Sequence, residues 1–129
     1  MIGLDTNVVV RFLVGDDPAQ TQAARALFDS LRPDNPGYLS LVVWVETYWV
    51  LTRTYAQPSA DVVAVLADLL SSDEIVSQSE AEVRGALRDA ADGADLGDAL
   101  IARIARVAGC TESVTFDKKA AKSLGFRLL

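Results

Sequence analysis

The sequence predicts an α/β fold built on a parallel sheet with helices on both faces. Short apolar segments recur between amphipathic helical stretches along the whole chain. That alternation is the pattern of strands joined by helical crossovers. Size points the same way, because 129 residues suit one domain with a sizeable core and are too few for two ordinary ones. One domain over residues 1–129 is therefore expected.

The elements follow in order. Met1-Ile2-Gly3-Leu4 is the first strand candidate, and Asp5 opens a helix from about Thr6 to Val14. In the turn Gly15-Asp16-Asp17-Pro18, Asp17 is placed to cap a second helix with Pro18 at its first position. Ala23, Ala24, Leu27, Phe28 and Leu31 form one stripe of that helix. Arg32-Pro33-Asp34-Asn35-Pro36-Gly37 reads as a loop and Tyr38-Leu39 as a very short strand. Ser40 then caps an apolar helix running to Leu51.

Gln57-Pro58-Ser59-Ala60-Asp61 breaks the chain and restarts it as a helix to Leu70, with Val62, Val63, Leu66, Leu69 and Leu70 inward. Ile75-Val76 is a strand, and Ser79 with Glu82 reads as a capping box for a helix from Glu80 to about Ala91. Asp95 to Ala108 is a helix, Ser113-Val114-Thr115 a strand, Lys118 to Ser123 a short helix, and Arg127-Leu128-Leu129 a closing edge strand.

Composition narrows the chemistry. Half the residues are hydrophobic, the net charge is −6, and there is no histidine. Without histidine, Ser-His-Asp triads, Cys-His pairs and histidine-based zinc sites are excluded. The acidic balance argues against a general duplex-DNA binder, whose affinity rests on phosphate contacts. The single cysteine, Cys110, excludes an internal disulfide and suits a reducing compartment. No basic segment precedes the apolar start, so a secretory signal is not expected. The strongest apolar run, Tyr38 to Leu51, carries Glu46 at its centre and falls short of the roughly 20 residues that span a membrane. A soluble cytoplasmic protein with no membrane partner is the expectation.

Acidic residues carry the functional signal. Asp5 follows the first strand candidate and Asp117 follows Ser113-Val114-Thr115-Phe116, which puts both at the carboxyl edge of a parallel sheet, where ligands bind. Asp95 and Asp98 lie three residues apart and share one helix face. Glu46 has Val42, Val43, Trp49 and Val50 three and four positions away, so it is expected to be turned inward. Carboxylates gathered in one pocket repel unless a cation neutralises them. Mg2+ and Mn2+ prefer oxygen ligands, and such an ion activates water and orients a phosphodiester. Duller roles compete for each residue. Asp5, Asp95 and Asp117 are placed to cap helices, Asp98 to favour a helix dipole, and Glu46 to pair with a distant arginine. Trp44, Tyr48 and Trp49 suit a core or an interface better than a base-stacking platform.

With Asp5-Thr6-Asn7 after the first strand, Glu46 in its apolar helix, Asp95-x-x-Asp98-Ala99-Leu100-Ile101-Ala102, and Thr115-Phe116-Asp117 near the end, the chain resembles PIN-domain ribonucleases. It is similar in particular to the VapC-type toxins of bacterial toxin–antitoxin pairs. The resemblance implies a three-layer α/β/α fold with a central parallel sheet and Mg2+-dependent endonucleolytic cleavage of RNA, with Mn2+ as an alternative ion. It matches Asp5, Glu46 and Asp98 to the family's three core acids and Asp117 to the more variable fourth. Asp95 either completes the metal pocket or only caps its helix, and Thr6 and Thr115 orient Asp5 and Asp117. It further implies an RNA substrate, a small cognate antitoxin seated in a hydrophobic groove, and a homodimer.

Two readings stand beside this one. A receiver-like phospho-acceptor domain has similar size and order, yet it needs an acidic pair after the first strand, where Thr6-Asn7 stands. A catalytically idle PIN fold used for protein or RNA binding keeps the same pattern.

Overall fold

The computed structural model describes residues 1–129. In chain order the elements are β1 (Ile2–Gly3), α1 (Thr6–Val14), α2 (Pro18–Ser30), β2 (Gly37–Leu39), α3 (Leu41–Trp49), a π-helical turn (Val50–Thr54) and α4 (Ser59–Leu70). There follow β3 (Ile75–Ser77), α5 (Glu80–Ala91), α6 (Leu96–Val107), β4 (Val114–Thr115), α7 (Lys118–Leu124) and β5 (Arg127–Leu128). This is the expected mixture of helices and parallel strands, consistent with a three-layer α/β/α arrangement.

β2 is the middle strand of a three-stranded parallel sheet, with Ile2 opposite Gly37 on one side and Gly37 opposite Ile75 on the other. Gly37 sits at the closest approach. A Cβ there would lie 2.7 Å from Leu4 Cδ1 and 3.0 Å from Leu31 Cδ1. The central strand therefore needs glycine at its first residue so that apolar side chains close over it. β4 and β5 pair in parallel with each other, Val114 opposite Arg127, as a separate two-stranded ladder. The expected single sheet is thus hydrogen-bonded in two pieces, a three-stranded ladder and the β4–β5 pair.

The core forms where the stripes read from the sequence meet. Val62, Val63, Leu66, Leu69 and Leu70 of α4 are all buried, as are Val9 and Val10 of α1. Trp44 of α3 is fully buried, and its Nε1–H donates to Ser77 Oγ at 2.8 Å, which ties α3 to the end of β3. Phe12 and Phe28 stack with ring centroids 3.9 Å apart and join α1 to α2. A smaller cluster, Ala102, Ala120 and Phe126, fastens the C-terminal ladder to α6.

Asp17 caps α2 by accepting from the Gln20 N–H at 3.0 Å, and Ser40 caps α3 through the Val43 N–H at 3.4 Å. Ser79 does not act as the expected capping box. Its backbone is left-handed (φ 48°, ψ 53°) rather than extended, and its side chain accepts no cap bond. Cys110 lies beyond the end of α6 and is exposed. No helix is long and apolar enough to cross a membrane.

Candidate functional site

Because β1, β2 and β3 run parallel, their carboxyl ends share one edge, and the chain leaves that edge through Asp5 after β1 and Ser40 after β2. Asp5 occupies the N-cap of α1 with extended backbone (φ −80°, ψ 156°), yet its carboxylate makes no capping bond. Capping therefore does not account for Asp5. Thr6 is buried, and its Oγ1 donates to Glu46 Oε1 at 3.3 Å across 40 residues of sequence. The hydroxyl expected to orient Asp5 is committed to Glu46 instead.

Glu46 itself corrects an expectation. It is exposed, not turned into the core. The apolar residues around it on α3 fall on two faces. Val43, Trp44, Thr47 and Tyr48 are buried, whereas Val42 is 64% exposed and Trp49 36%. An apolar helix with its second face at the surface leaves Glu46 in water at the margin of that face.

A second group of acids gathers at the start of α6. Asp95 is its N-cap, with Oδ1 accepting from the Asp98 N–H at 3.0 Å and Oδ2 accepting from Trp49 Nε1–H at 3.3 Å. Both oxygens are thereby used. Asp98, three residues on, is half-buried. Burial first, then the charges of Asp95 and Asp117, hold its carboxyl above the usual carboxylate range, while Arg53 and Lys119 pull the other way. Asp117 caps α7 through one oxygen, Oδ1, which accepts from the Lys119 and Ala120 N–H groups at 2.8 and 3.2 Å. Thr115 Oγ1 accepts from the Asp117 backbone N–H at 2.9 Å and fixes that turn.

α3 lies between the two groups. Glu46 reaches Thr6 beside Asp5, and Trp49, three residues or about 4.5 Å further along the axis, reaches Asp95. No three of the carboxylates close into a set ready to hold an ion. The four ion pairs of the chain, Arg11–Asp16, Arg84–Glu80, Arg103–Asp89 and Arg127–Glu112, lie elsewhere and engage none of the five acids. The arginine partner considered for Glu46 is thus ruled out.

The family model described as PIN domain matches residues 2–124 of this chain. The chain belongs to the PIN domain family. No curated protein matches it at a significant level. PIN domains are generally nucleases that bind RNA and typically use divalent metal ions, so membership sets the phospho-acceptor reading aside.

The donor chemistry fits a hard divalent cation. Asp5 and Asp98 offer carboxylates that take no hydrogen bond from a cap or a cation, and Asp117 keeps one oxygen free. Only oxygen ligands are present, which suits Mg2+ or Mn2+. Without a cation, burial first and then repulsion from Asp95 and Asp117 weigh against the ionised form of Asp98, a cost that an ion would offset.

Several side chains at this PIN site escaped the sequence reading. Tyr48 is buried against the second acidic group, and its phenol is pushed up by burial first and by Asp95 next. Trp49 and Arg53 stand beside Asp95 and Asp98, and Gln78 Oε1 accepts the Leu41 N–H at the start of α3. A signal for Trp49 and Arg53 existed. They lie three and seven residues after Glu46, on the same helical side. Along that side, between α3 and α6, runs an apolar groove of about 630 Å3 lined by Leu41, Val45, Trp49, Leu100, Ile101 and Ile104, with Glu46 at its edge.

Proposed function

We propose that this PIN-domain protein is a Mg2+-dependent endoribonuclease and serves as the toxin of a toxin–antitoxin pair in the cytoplasm. The observation that carries the reading is Asp98, a half-buried carboxyl held above its usual range beside Asp95 and Asp117 with no ion-pair partner. Asp5, Glu46, Asp98 and Asp117 would hold the ion, with Mn2+ able to replace Mg2+. Asp95, whose two oxygens are both hydrogen-bonded, serves mainly as the cap that aims Asp98. A bound divalent cation supplies charge neutralisation and Lewis-acid polarisation at a phosphodiester.

The chain's own residues supply the rest. Thr6 holds Glu46 against the start of α1, and Thr115 holds the Asp117 turn. The N-termini of α1 and α6 bring partial positive charge toward an RNA phosphate at the sheet edge. The apolar groove between α3 and α6, with exposed Val42 and Ile101 in its wall, supports a protein partner, either a small antitoxin segment or a second copy of the chain.

One observation favours a second reading, a catalytically idle PIN fold that only binds. The acids do not close into a chelating set. Incubating purified protein with RNA separates the two. The wild type is expected to cut RNA only with Mg2+ or Mn2+, and Asp5→Asn and Asp98→Asn are each expected to abolish cutting. A wild type inert with both ions would establish the binding-only reading, and cutting that persists in both variants would reject this set of residues.

A further inference from the structure

The π-helical turn after α3 and the indole beneath it present one guanidinium beside the acids with no carboxylate paired to it. Arg53 is exposed and lies over the Trp49 ring, its Cζ 4.8 Å from the ring centroid. It joins none of the four ion pairs and donates no hydrogen bond, so its whole fork of N–H donors is unclaimed. Yet its charge reaches Asp98 and Tyr48, which places it at the acidic site rather than on a remote surface.

The support beneath Arg53 is built in several steps. Gly97, on the first turn of α6, carries no side chain, and a Cβ there would lie 2.9 Å from Trp49 Cζ2. The indole therefore lies directly on α6 and is fixed by its hydrogen bond to Asp95 Oδ2. The wider turn closes through the Tyr55 N–H donating to the Val50 carbonyl at 3.1 Å, an i to i+5 bond that sets the direction of Arg53. The far end of the turn is clamped. Tyr55 OH donates to Asp16 Oδ2 at 2.7 Å and accepts from Arg11 Nη1 at 3.1 Å. A surface arginine that merely balanced charge would need none of this scaffolding, and it would be expected to sit on a carboxylate.

We propose that Arg53, braced on Trp49, is a phosphate-binding residue for single-stranded RNA, holding a backbone phosphate next to the acids. The inference rests on the nuclease reading and deepens it by naming a substrate contact outside the acidic set. An always-charged planar fork stacked on an aromatic ring is suited to bidentate phosphate recognition. In a chain of net charge −6 it supplies local attraction where the overall field repels RNA.

The test is fluorescence anisotropy with a short fluorescein-labelled single-stranded oligoribonucleotide, in chelator so that no turnover occurs, over a series of salt concentrations. Arg53→Ala is expected to weaken binding about tenfold at low salt, the scale of one charged hydrogen-bonded contact. Its slope of log affinity on log salt should become shallower by about 0.7, one single-strand phosphate contact. Arg53→Lys keeps the slope and recovers only part of the affinity. Trp49→Phe keeps a ring but loses the bond to Asp95 Oδ2, so its binding is expected to fall between that of the wild type and that of Arg53→Ala. If Arg53→Ala binds with unchanged affinity and slope while the wild type cuts RNA, the phosphate role is overturned and the nuclease reading stands. If the wild type neither binds nor cuts RNA, both fall together. An Arg53→Ala protein with a lowered melting temperature but an unchanged salt slope assigns the residue to structure and also overturns the proposal.

Discussion

Gly97→Ala separates two opposed effects at the place where α3 meets α6. Replacing glycine by alanine gains up to about 1 kcal/mol from backbone propensity in a helix interior, and less at Gly97 on the first turn of α6. Here the new Cβ would lie 2.9 Å from Trp49 Cζ2, 3.0 Å from Asp95 Oδ1 and 3.3 Å from Val45 Cγ1. Ordinary carbon contacts are about 3.5–4.0 Å, so the indole must move by several tenths of an ångström at least. Overpacking of this kind costs about 1–3 kcal/mol, and the net expectation is a loss of about 1 kcal/mol, or about 3–5 °C in melting temperature for a chain of this size. Displacing the indole also breaks its 3.3 Å bond to Asp95 and removes the platform under Arg53. Thermal denaturation combined with acrylamide quenching of tryptophan fluorescence reads both effects. Trp44 is fully buried, so any change in quenching reports on Trp49. A variant stabilised by the full propensity gain with unchanged quenching would refute the packing argument.

Two further perturbations follow from the acids. Asp98 has its folded-state pKa raised by burial, Asp95 and Asp117, above an unfolded value of about 3.9. The folded chain then binds the proton more tightly than the unfolded chain, so the ionised carboxylate costs stability at neutral pH, and the cost vanishes as pH falls through the raised value. Asp98→Asn is accordingly expected to melt higher than the wild type in chelator at pH 7, with the gap shrinking to nothing below about pH 4; a gap independent of pH would contradict the shift. Glu46→Gln, exposed and able to keep its contact with Thr6 through the amide oxygen, is expected to change stability by no more than about 0.5 kcal/mol. It is also expected to lose RNA cutting, and a melting temperature lowered by many degrees would restore a structural role for the residue.

Much of the fold was legible because local chemistry dictates it. The i, i+3, i+4 stripe of α4 is buried residue for residue, and Asp17 before Pro18 caps α2 as such a pair should. Glu46 was misread for a physical reason. α3 is apolar on every side, so periodicity could not say which apolar face is core and which is the groove wall. Ser79 failed because a capping box requires an extended residue, and nothing local announces φ 48°. The turn at Val50–Thr54 was invisible too, since a π-helical turn leaves no distinctive spacing. Among the proposed site residues, order along the chain nominated five acids, but sequence could not divide them. Asp95 spends both oxygens on Asp98 and Trp49, Asp117 spends one on α7, and Asp5 spends none.

Everything functional depends on Asp5, Glu46, Asp98 and Asp117 drawing together on a divalent ion. Titrating the protein with Mn2+ and following free ion by electron paramagnetic resonance tests this directly. The account predicts saturable binding by the wild type that is lost in Asp98→Asn and strongly weakened in Asp5→Asn. Equal uptake by the wild type and both variants, or no uptake by any of them, would contradict it.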